Sequence, residues 1–346
     1  MSTLVSVIIP VKELSYRLLF ECLPAFAQQT YTSYEVIVLP NEHSLYDLTL
    51  LKKYPFLKII PTGKITKPAE KRDKGAEKAQ GNLLAFIDDD AYPDKNWIRN
   101  ALNIYVSLKK QKPALGALCG PGLLPSDSSF WEKVFNQILS AELGSGSFGY
   151  RFEKRSRRFV DDYPSMNFFI EKKLFNDIGG FNNQYWPGED SKLCNDIVYK
   201  KSRLILYDPN IAVYHHRREN LGKFLYQHGQ YGFHRGAFFA HGDNNSLRLA
   251  YLFPALFVIY LIIAAILLPL TSLLPVIPIS ALTFFLLPFY LYAIMLSYLF
   301  IVAAFTTHSV FISIMTPVTL FMTHIFYGIM FIRGFFTGYL RKKNIY

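Results

Sequence analysis

Leu83-Leu84-Ala85-Phe86-Ile87-Asp88-Asp89-Asp90 is the stretch on which the fold turns. Five apolar residues lie between the Gly81 turn and three acids, the pattern of a short buried strand. In open α/β sheets, ligands sit just beyond the carboxyl ends of the strands. Adjacent carboxylates at such a place repel one another, and a divalent cation bridging to a diphosphate relieves the repulsion. Oxygen ligands of this kind favour hard ions, so Mg²⁺ or Mn²⁺ is the expected cofactor. The plainer alternative is that Asp90 or Asp94 caps a helix starting near Lys95.

Working outward, apolar strands are expected at Val5–Pro10, Glu35–Leu39 and Leu57–Ile60, with helical segments at Ser15–Gln29 and Ala69–Gln80. This alternation predicts an α/β fold: a parallel sheet with helices on its faces. The pattern breaks from Leu123 to Pro164. Gly144, Gly146 and Gly149, the basic run 154–158, and Trp131 and Phe135 on an amphipathic helix fall there. A membrane-proximal insertion and an ordinary surface loop both fit. Further on, 167–178 reads as a strand and short helix. Gly188-Glu189-Asp190 opens a helix through Tyr199, and Leu204–Leu206 and Ile211–Tyr214 read as short strands.

The last third is different. Every Asp and Glu lies before residue 245, and Leu249 to Ile332 holds no Lys or Arg either. Such a stretch should contain membrane spans. Leu249–Leu270 and Val310–Ile332 are each long enough. Leu273–Phe305 is one tilted span or two short ones meeting near Pro288. Its length points to three spans in all, the basic tail to four. The net charge of +11 then fits a domain on an anionic membrane surface better than a nucleic-acid partner. Three scattered cysteines, Cys22, Cys119 and Cys194, suit a reducing compartment. Met1-Ser2-Thr3-Leu4 lacks the start of a signal peptide, so a cytosolic soluble part is expected.

Five motifs stand in order: Val5-Ser6-Val7-Ile8-Ile9-Pro10-Val11, Arg72-Asp73-Lys74-Gly75, Asp88-Asp89-Asp90, Gly179-Gly180-Phe181 and Gly188-Glu189-Asp190. Together they resemble family 2 glycosyltransferases, over roughly residues 4–220. The resemblance implies a GT-A, Rossmann-like domain that binds a nucleotide-sugar donor. It implies Pro10 and Val11 against the base, and Arg72, Asp88 and Asp89 at the nucleotide. Asn41 and Glu42 stand where relatives carry an Asp-Asp-Gly-Ser-like turn. It implies Asp90 and Asp88 as metal ligands, joined by His215 or His216 after the late strand. Asp190 resembles the base that deprotonates the acceptor, with Glu189 beside it. The bland reading of both acids is a helix start that favours carboxylates.

On the acceptor side, Trp186 offers a flat wall for a sugar ring. Gln227-His228-Gly229-Gln230-Tyr231 is similar to the Gln-x-x-Arg-Trp of processive polysaccharide synthases. Gln230 replaces the arginine and Tyr231 the tryptophan. That departure, with His324-Ile325-Phe326-Tyr327-Gly328, looks more like the membrane-attached, non-processive enzymes typified by succinoglycan glucosyltransferase-like proteins. The expected organisation is a GT-A domain over 1–222 and an interfacial amphipathic segment over 223–248. A transmembrane part over 249–337 and a basic tail over 338–346 follow.

The expected activity is inverting, metal-dependent transfer to a membrane-associated acceptor, a polyprenyl-diphosphate-linked saccharide, in polysaccharide or glycoconjugate assembly. The protein would sit in the cell membrane with its catalytic domain cytoplasmic. A polyprenyl-phosphate monoglycosyl synthase and a processive synthase are the enzymatic alternatives. A membrane scaffold or transport protein with an inactive transferase domain is the alternative of another class. Spans without Asp, Glu, Lys or Arg weigh against transport.

Overall fold

The computed structural model describes residues 3–45, 47–181, 188–273 and 278–343. It separates into two compact units, Met1–Ser126 with Tyr150–His216, and Asp127–Gly149 with Arg217–Tyr346.

The first unit is built on β1 (Val5–Pro10), β2 (Tyr34–Leu39), β3 (Leu57–Ile59), β4 (Leu83–Ile87), β6 (Leu115–Cys119), β8 (Arg158–Val160), β9 (Asn167–Glu171) and β10 (Leu204–Tyr207). They form one sheet in the order β3-β2-β1-β4-β9-β6-β10-β8. β1 runs parallel to both β2 and β4, with Val7 opposite Val36 and Ala85. Every residue of β1 and β4 is buried, as befits parallel strands covered on both faces. The sheet is not wholly parallel. β9 runs antiparallel to β4 and β6, and β8 antiparallel to β10. The chain enters β9 from the 123–164 excursion rather than through a local crossover helix, so nothing imposes the parallel direction there.

Two helices set the geometry beyond the strand ends. The expected helix over 15–29 widens into a π-turn at Leu18–Cys22 before α1 (Leu23–Ala27). Leu23 N–H reaches back to the Leu18 carbonyl just ahead of Pro24, which has no N–H to give. After α2 (Asp47–Lys53), α3 (Pro68–Lys78) packs on β1 through Gly75. A Cβ there would meet Ile8 Cγ2 at 2.5 Å.

A small second sheet, β5 (Ala91–Pro93), β11 (Val213–His215) and β7 (Gly122–Leu123), brings the chain back past the acids. Buried Asn167 fixes its place. Its Nδ2 donates to the carbonyls of Gly120 and Ile211, each at 2.7 Å, while its Oδ1 accepts Trp97 Nε1 at 2.9 Å. Trp97 opens α4 (Trp97–Gln111). Asp94 receives the Asn96 N–H at 2.9 Å and so organises that turn.

The second unit contains α5 (Phe130–Ser140), α6 (Glu142–Ser145), α9 (Leu221–His241), α10 (Leu249–Leu273), α11 (Ile279–Thr307) and α12 (Val310–Lys343). Ser129 and Glu132 form a reciprocal cap on α5, and Phe135 stacks on Phe224 at 4.0 Å within a cluster that includes Leu299 and Leu320. The insertion is therefore split. Residues 127–149 pack with the apolar helices, and 150–164 belong to the sheet unit, where Arg157 pairs with buried Asp208 at 2.6 Å.

α9 lies against α12 through glycines. A Cβ at Gly232 or Gly236 would strike the carbonyls of Tyr327 or Phe331, and one at Gly334 the carbonyl of Phe233. Among the described residues three helices are long and apolar enough to cross a membrane, spanning Leu249–Leu270, Ser280–Thr307 and Val310–Gly338. The middle stretch forms a single helix through Pro288.

Candidate active site

The remaining elements of the sheet unit are α7 (Lys172–Ile178) and α8 (Glu189–Asn195). Arg72 is the hub where four of the five motifs meet, its own and three others. It projects from α3 and is almost wholly buried. Its Nη2 bonds Asp88 Oδ1 at 2.7 Å, its Nη1 faces Glu189 Oε1 at 3.5 Å, and its guanidinium lies 5.5 Å from the Phe181 ring centre.

The Gly179-Gly180-Phe181 motif supports that hub. Gly179 and Gly180 end α7 with φ of 89° and 74°. The turn aims Phe181 N–H at Asp73 Oδ1, 2.8 Å away, and seats its ring edge-on to Phe86. Burial pushes the Asp73 carboxyl up to about 7, against the pull of Phe181 N–H and Arg72. Gly180→Ala is expected to lower stability measurably. The left-handed backbone costs about 1–2 kcal/mol in a residue with a Cβ, and that Cβ would stand 2.5 Å from Asp73 Oδ1. A thermal unfolding midpoint equal to wild type would refute this.

Beyond β4, the donor atoms of Asp88, Asp90 and His215 lie within 4.8 Å of one another. His215 Nε2 is 3.1 Å from Asp90 Oδ1. Two carboxylates and an imidazole, all partly exposed, fit a hard or borderline divalent cation. His216 is turned away: its Nε2 meets Glu21 at 2.8 Å. His215 is the last residue of β11 and His216 lies just beyond it, and the candidate metal group takes the first and not the second. Asp89 is pushed up to about 6 by burial and by its neighbours Asp90 and Asp88, which is the repulsion expected of the triplet.

Glu189 and Asp190 begin α8 behind Gly188. Glu189 is occupied: Oε2 accepts the Gly188 N–H at 2.9 Å and Oε1 faces Arg72. Asp190 differs. Its Oδ1 is buried with no hydrogen-bond partner among the described residues. Burial and the Glu189 charge push its carboxyl up to about 7, with Arg72 and the nearby Ser165 hydroxyl opposing. A buried acceptor left open is costly unless something else fills it.

Of the residues expected at the nucleotide, Pro10 and Val11 are buried at the end of β1, Asn41 is half-buried and Glu42 exposed. The residue that ties them together is Lys71, which sequence reasoning missed. Nearly fully buried, it donates to the carbonyls of Val11 and Leu39 and to Asn41 Oδ1. Burial pulls its ammonium down, with Asp89 opposing. The available signal was its place one turn before Gly75, on the face of α3 that meets β1. Of the acceptor-side residues, Trp186 lies outside the described residues. Gln227 and Gln230, half-buried, and Tyr231, exposed, stand on α9 in the second unit.

Residues 6–111 match glycosyl transferase family 2. The chain is 23% identical over 258 residues to the dolichyl N-acetyl-alpha-D-glucosaminyl phosphate 3-beta-D-2,3-diacetamido-2,3-dideoxy-beta-D-glucuronosyltransferase of Methanococcus voltae, covering 72% of this chain and 77% of that protein. It is 22% identical over 151 residues to the glucosyl-dolichyl phosphate glucuronosyltransferase of Haloferax volcanii, covering 42% of this chain and 46% of that protein. Its fold is similar to that of a mannosyltransferase from Pyrobaculum calidifontis solved with GDP-Man and Mn²⁺, with TM-score 0.58, 16% identity, and 93% and 86% of the two chains covered. Motifs, sheet and relatives agree: the chain is a glycosyltransferase with a family 2 domain match over residues 6–111, built on a GT-A-like α/β sheet and followed by apolar helices long enough to cross a membrane.

Proposed function

We propose that the protein is an inverting, metal-dependent transferase moving a sugar from a nucleotide-sugar to a saccharide carried on a membrane lipid phosphate. The observation that carries this reading is the open Oδ1 of Asp190, on a carboxyl raised to about 7, beside the hub that also holds Asp88. An acceptor hydroxyl is a poor nucleophile until its proton leaves, and a positioned carboxylate of this kind takes it. The acceptor oxygen then bonds the anomeric carbon as the bond from that carbon to the diphosphate oxygen breaks. The proton stays on Asp190 and the nucleoside diphosphate departs.

Asp88, Asp90 and His215 would hold Mg²⁺ or Mn²⁺, which when bound stabilises the charge on the departing diphosphate. Arg72 fixes Asp88 from one side and Glu189 from the other. Lys71 holds the β1 and β2 ends at the base pocket. The phosphate-linked lipid acceptor rests on the names of the two relatives, both of which carry dolichyl phosphate. It replaces the diphosphate carrier as the better supported form. Location in the cell membrane with the sheet unit in the cytosol belongs to the same proposal.

A polyprenyl-phosphate monoglycosyl synthase attacks with an oxygen already ionised and has no use for an open base. The Asp190 geometry therefore favours the hydroxyl acceptor. The test is thermal stabilisation of the detergent-purified protein by UDP, GDP, dTDP and CDP, each with and without Mn²⁺. One nucleotide should raise the unfolding midpoint, and only with metal. A clean transition unmoved by all four would sink the donor site.

A further inference from the structure

Every proton on the Lys71 ammonium is accounted for. Its three N–H groups meet three oxygens, the carbonyls of Val11 and Leu39 and Oδ1 of Asn41. An ammonium can only donate, so it takes the oxygen end of the Asn41 amide and turns the amino end away. That end, Nδ2, carries donors and no acceptor, and it has no hydrogen-bond partner among the described residues. The backbone holds the amide in place. Asn41 N–H bonds the Lys12 carbonyl at 3.0 Å, and the Asn41 carbonyl accepts the Gly63 N–H at 2.8 Å. The Pro40 carbonyl just before it accepts the Thr62 N–H at 2.9 Å.

We infer that the Lys71–Asn41 pair selects the base of the donor: the fixed amide donates to an exocyclic oxygen, so the site takes a keto base (uracil, thymine or guanine) and refuses an amino base (cytosine or adenine); this rests on the donor site proposed above. The place follows from the sheet. Ligands of open α/β sheets lodge beyond the strand ends where the strand order reverses. β1 stands between β2 and β4, with β3 outside β2, so the reversal falls at β1 and β4. The acids follow β4, and Asn41 follows β2 on the other side of β1. A nucleotide with its diphosphate at the acids carries its base toward Val11 and Asn41. The chemistry follows from the amide. O4 of uracil and thymine and O6 of guanine accept, where cytosine and adenine carry the amino groups N4 and N6. Donor against donor leaves both unpaired, and a site built to hydrogen-bond one group rejects the analogue that lacks it.

The competing explanation is a purely structural tie between strand ends. Lys71 already makes that tie through the Val11 and Leu39 carbonyls, without Asn41. A tie alone would change affinity for every nucleotide alike. Only a reader of the base moves the ratio between two bases of one ring size. The experiment uses the full chain in detergent with saturating Mn²⁺. Dissociation constants of UDP, CDP, dTDP, GDP and ADP are measured for wild type, Asn41→Asp and Lys71→Met. UDP is compared with CDP, and GDP with ADP, so ring size cancels. Asp keeps the outline of Asn, leaves one oxygen on the Lys71 ammonium and puts the other where the amino end was. Met removes the lock and frees the amide to turn.

Wild type should bind the keto member of the pair that fits its pocket at least about tenfold more tightly, the worth of one hydrogen bond made rather than left open. Asn41→Asp should cut that ratio about tenfold or more. Lys71→Met should also lower it, with Asn41 still in place. Equal binding of both members by wild type overturns the inference and leaves the transferase reading intact. So does a ratio unchanged in Asn41→Asp or in folded Lys71→Met. If Lys71→Met loses its unfolding transition, Asn41→Asp decides alone by the same criterion. Failure of wild type to bind any of these nucleotides, with a clean unfolding transition, overturns the inference together with the donor site on which it rests.

Discussion

Asp190→Asn is expected to lower turnover by about 10²–10⁴-fold, the usual worth of a positioned general base, while nucleotide-plus-metal stabilisation persists. The amide keeps shape and volume, so the loss isolates proton transfer from packing. The pH profile gives an independent check. The carboxyl is raised to about 7 by burial and by Glu189, so the wild-type rate should climb through that region and level off above it. The Asn variant should be slow and flat.

Stability should move the other way. The folded carboxyl titrates above its ordinary value, so its protonated form favours the folded state. That contribution is complete at low pH and is lost as pH rises through about 7. At pH 8 the Asn variant should therefore unfold no earlier than wild type. Turnover within a factor of two of wild type would remove Asp190 from the base role and favour an acceptor that attacks as a phosphate.

The second large effect is at the cation group. Chelation should abolish transfer and Mn²⁺ restore it. Asp90→Ala should cost several kcal/mol of transition-state stabilisation, on the order of 10²–10³ in rate at about 1.4 kcal/mol per decade. His215→Ala should weaken the apparent metal affinity. His216→Ala, which loses a bond to Glu21 rather than a metal donor, should leave that affinity unchanged. A metal titration separates these outcomes. Identical curves for all three variants and wild type would show that the carboxylates and imidazole assemble for some other reason.

Much of the catalytic half was readable from the chain alone, because buried parallel strands are uninterrupted apolar runs. β1 and β4 fall on their expected bounds and β2 and β3 within one residue of theirs. The acids follow directly from where β4 stops. What the chain did not disclose is pairing at a distance. The direction of β9 depends on a partner far along the chain, and the choice of His215 over His216 on where β11 ends and which acid each histidine meets. Lys71 looked like one more charge on a polar helix until β1 and β2 were placed beneath it. The Asp73 to Phe181 bond links residues 108 apart, and no local pattern encodes it. The order of the motifs was legible, but the way Phe181 and Asp73 steady Arg72 was not.

The glycine seam between α9 and α12 has a consequence for swapping parts between enzymes. Backbone meets backbone there with no room for a methyl group, so α9 fits one partner helix in one register. An exchange of catalytic halves cut after residue 248 would strand α9 beside a foreign α12, and one cut after residue 222 would splice α9 within its first turn. A cut after His216 keeps the two helices together, provided the 127–149 excursion travels with its own helices. The exchangeable part of this enzyme is therefore discontinuous in sequence, and a donor-site graft has to be sewn in at two places.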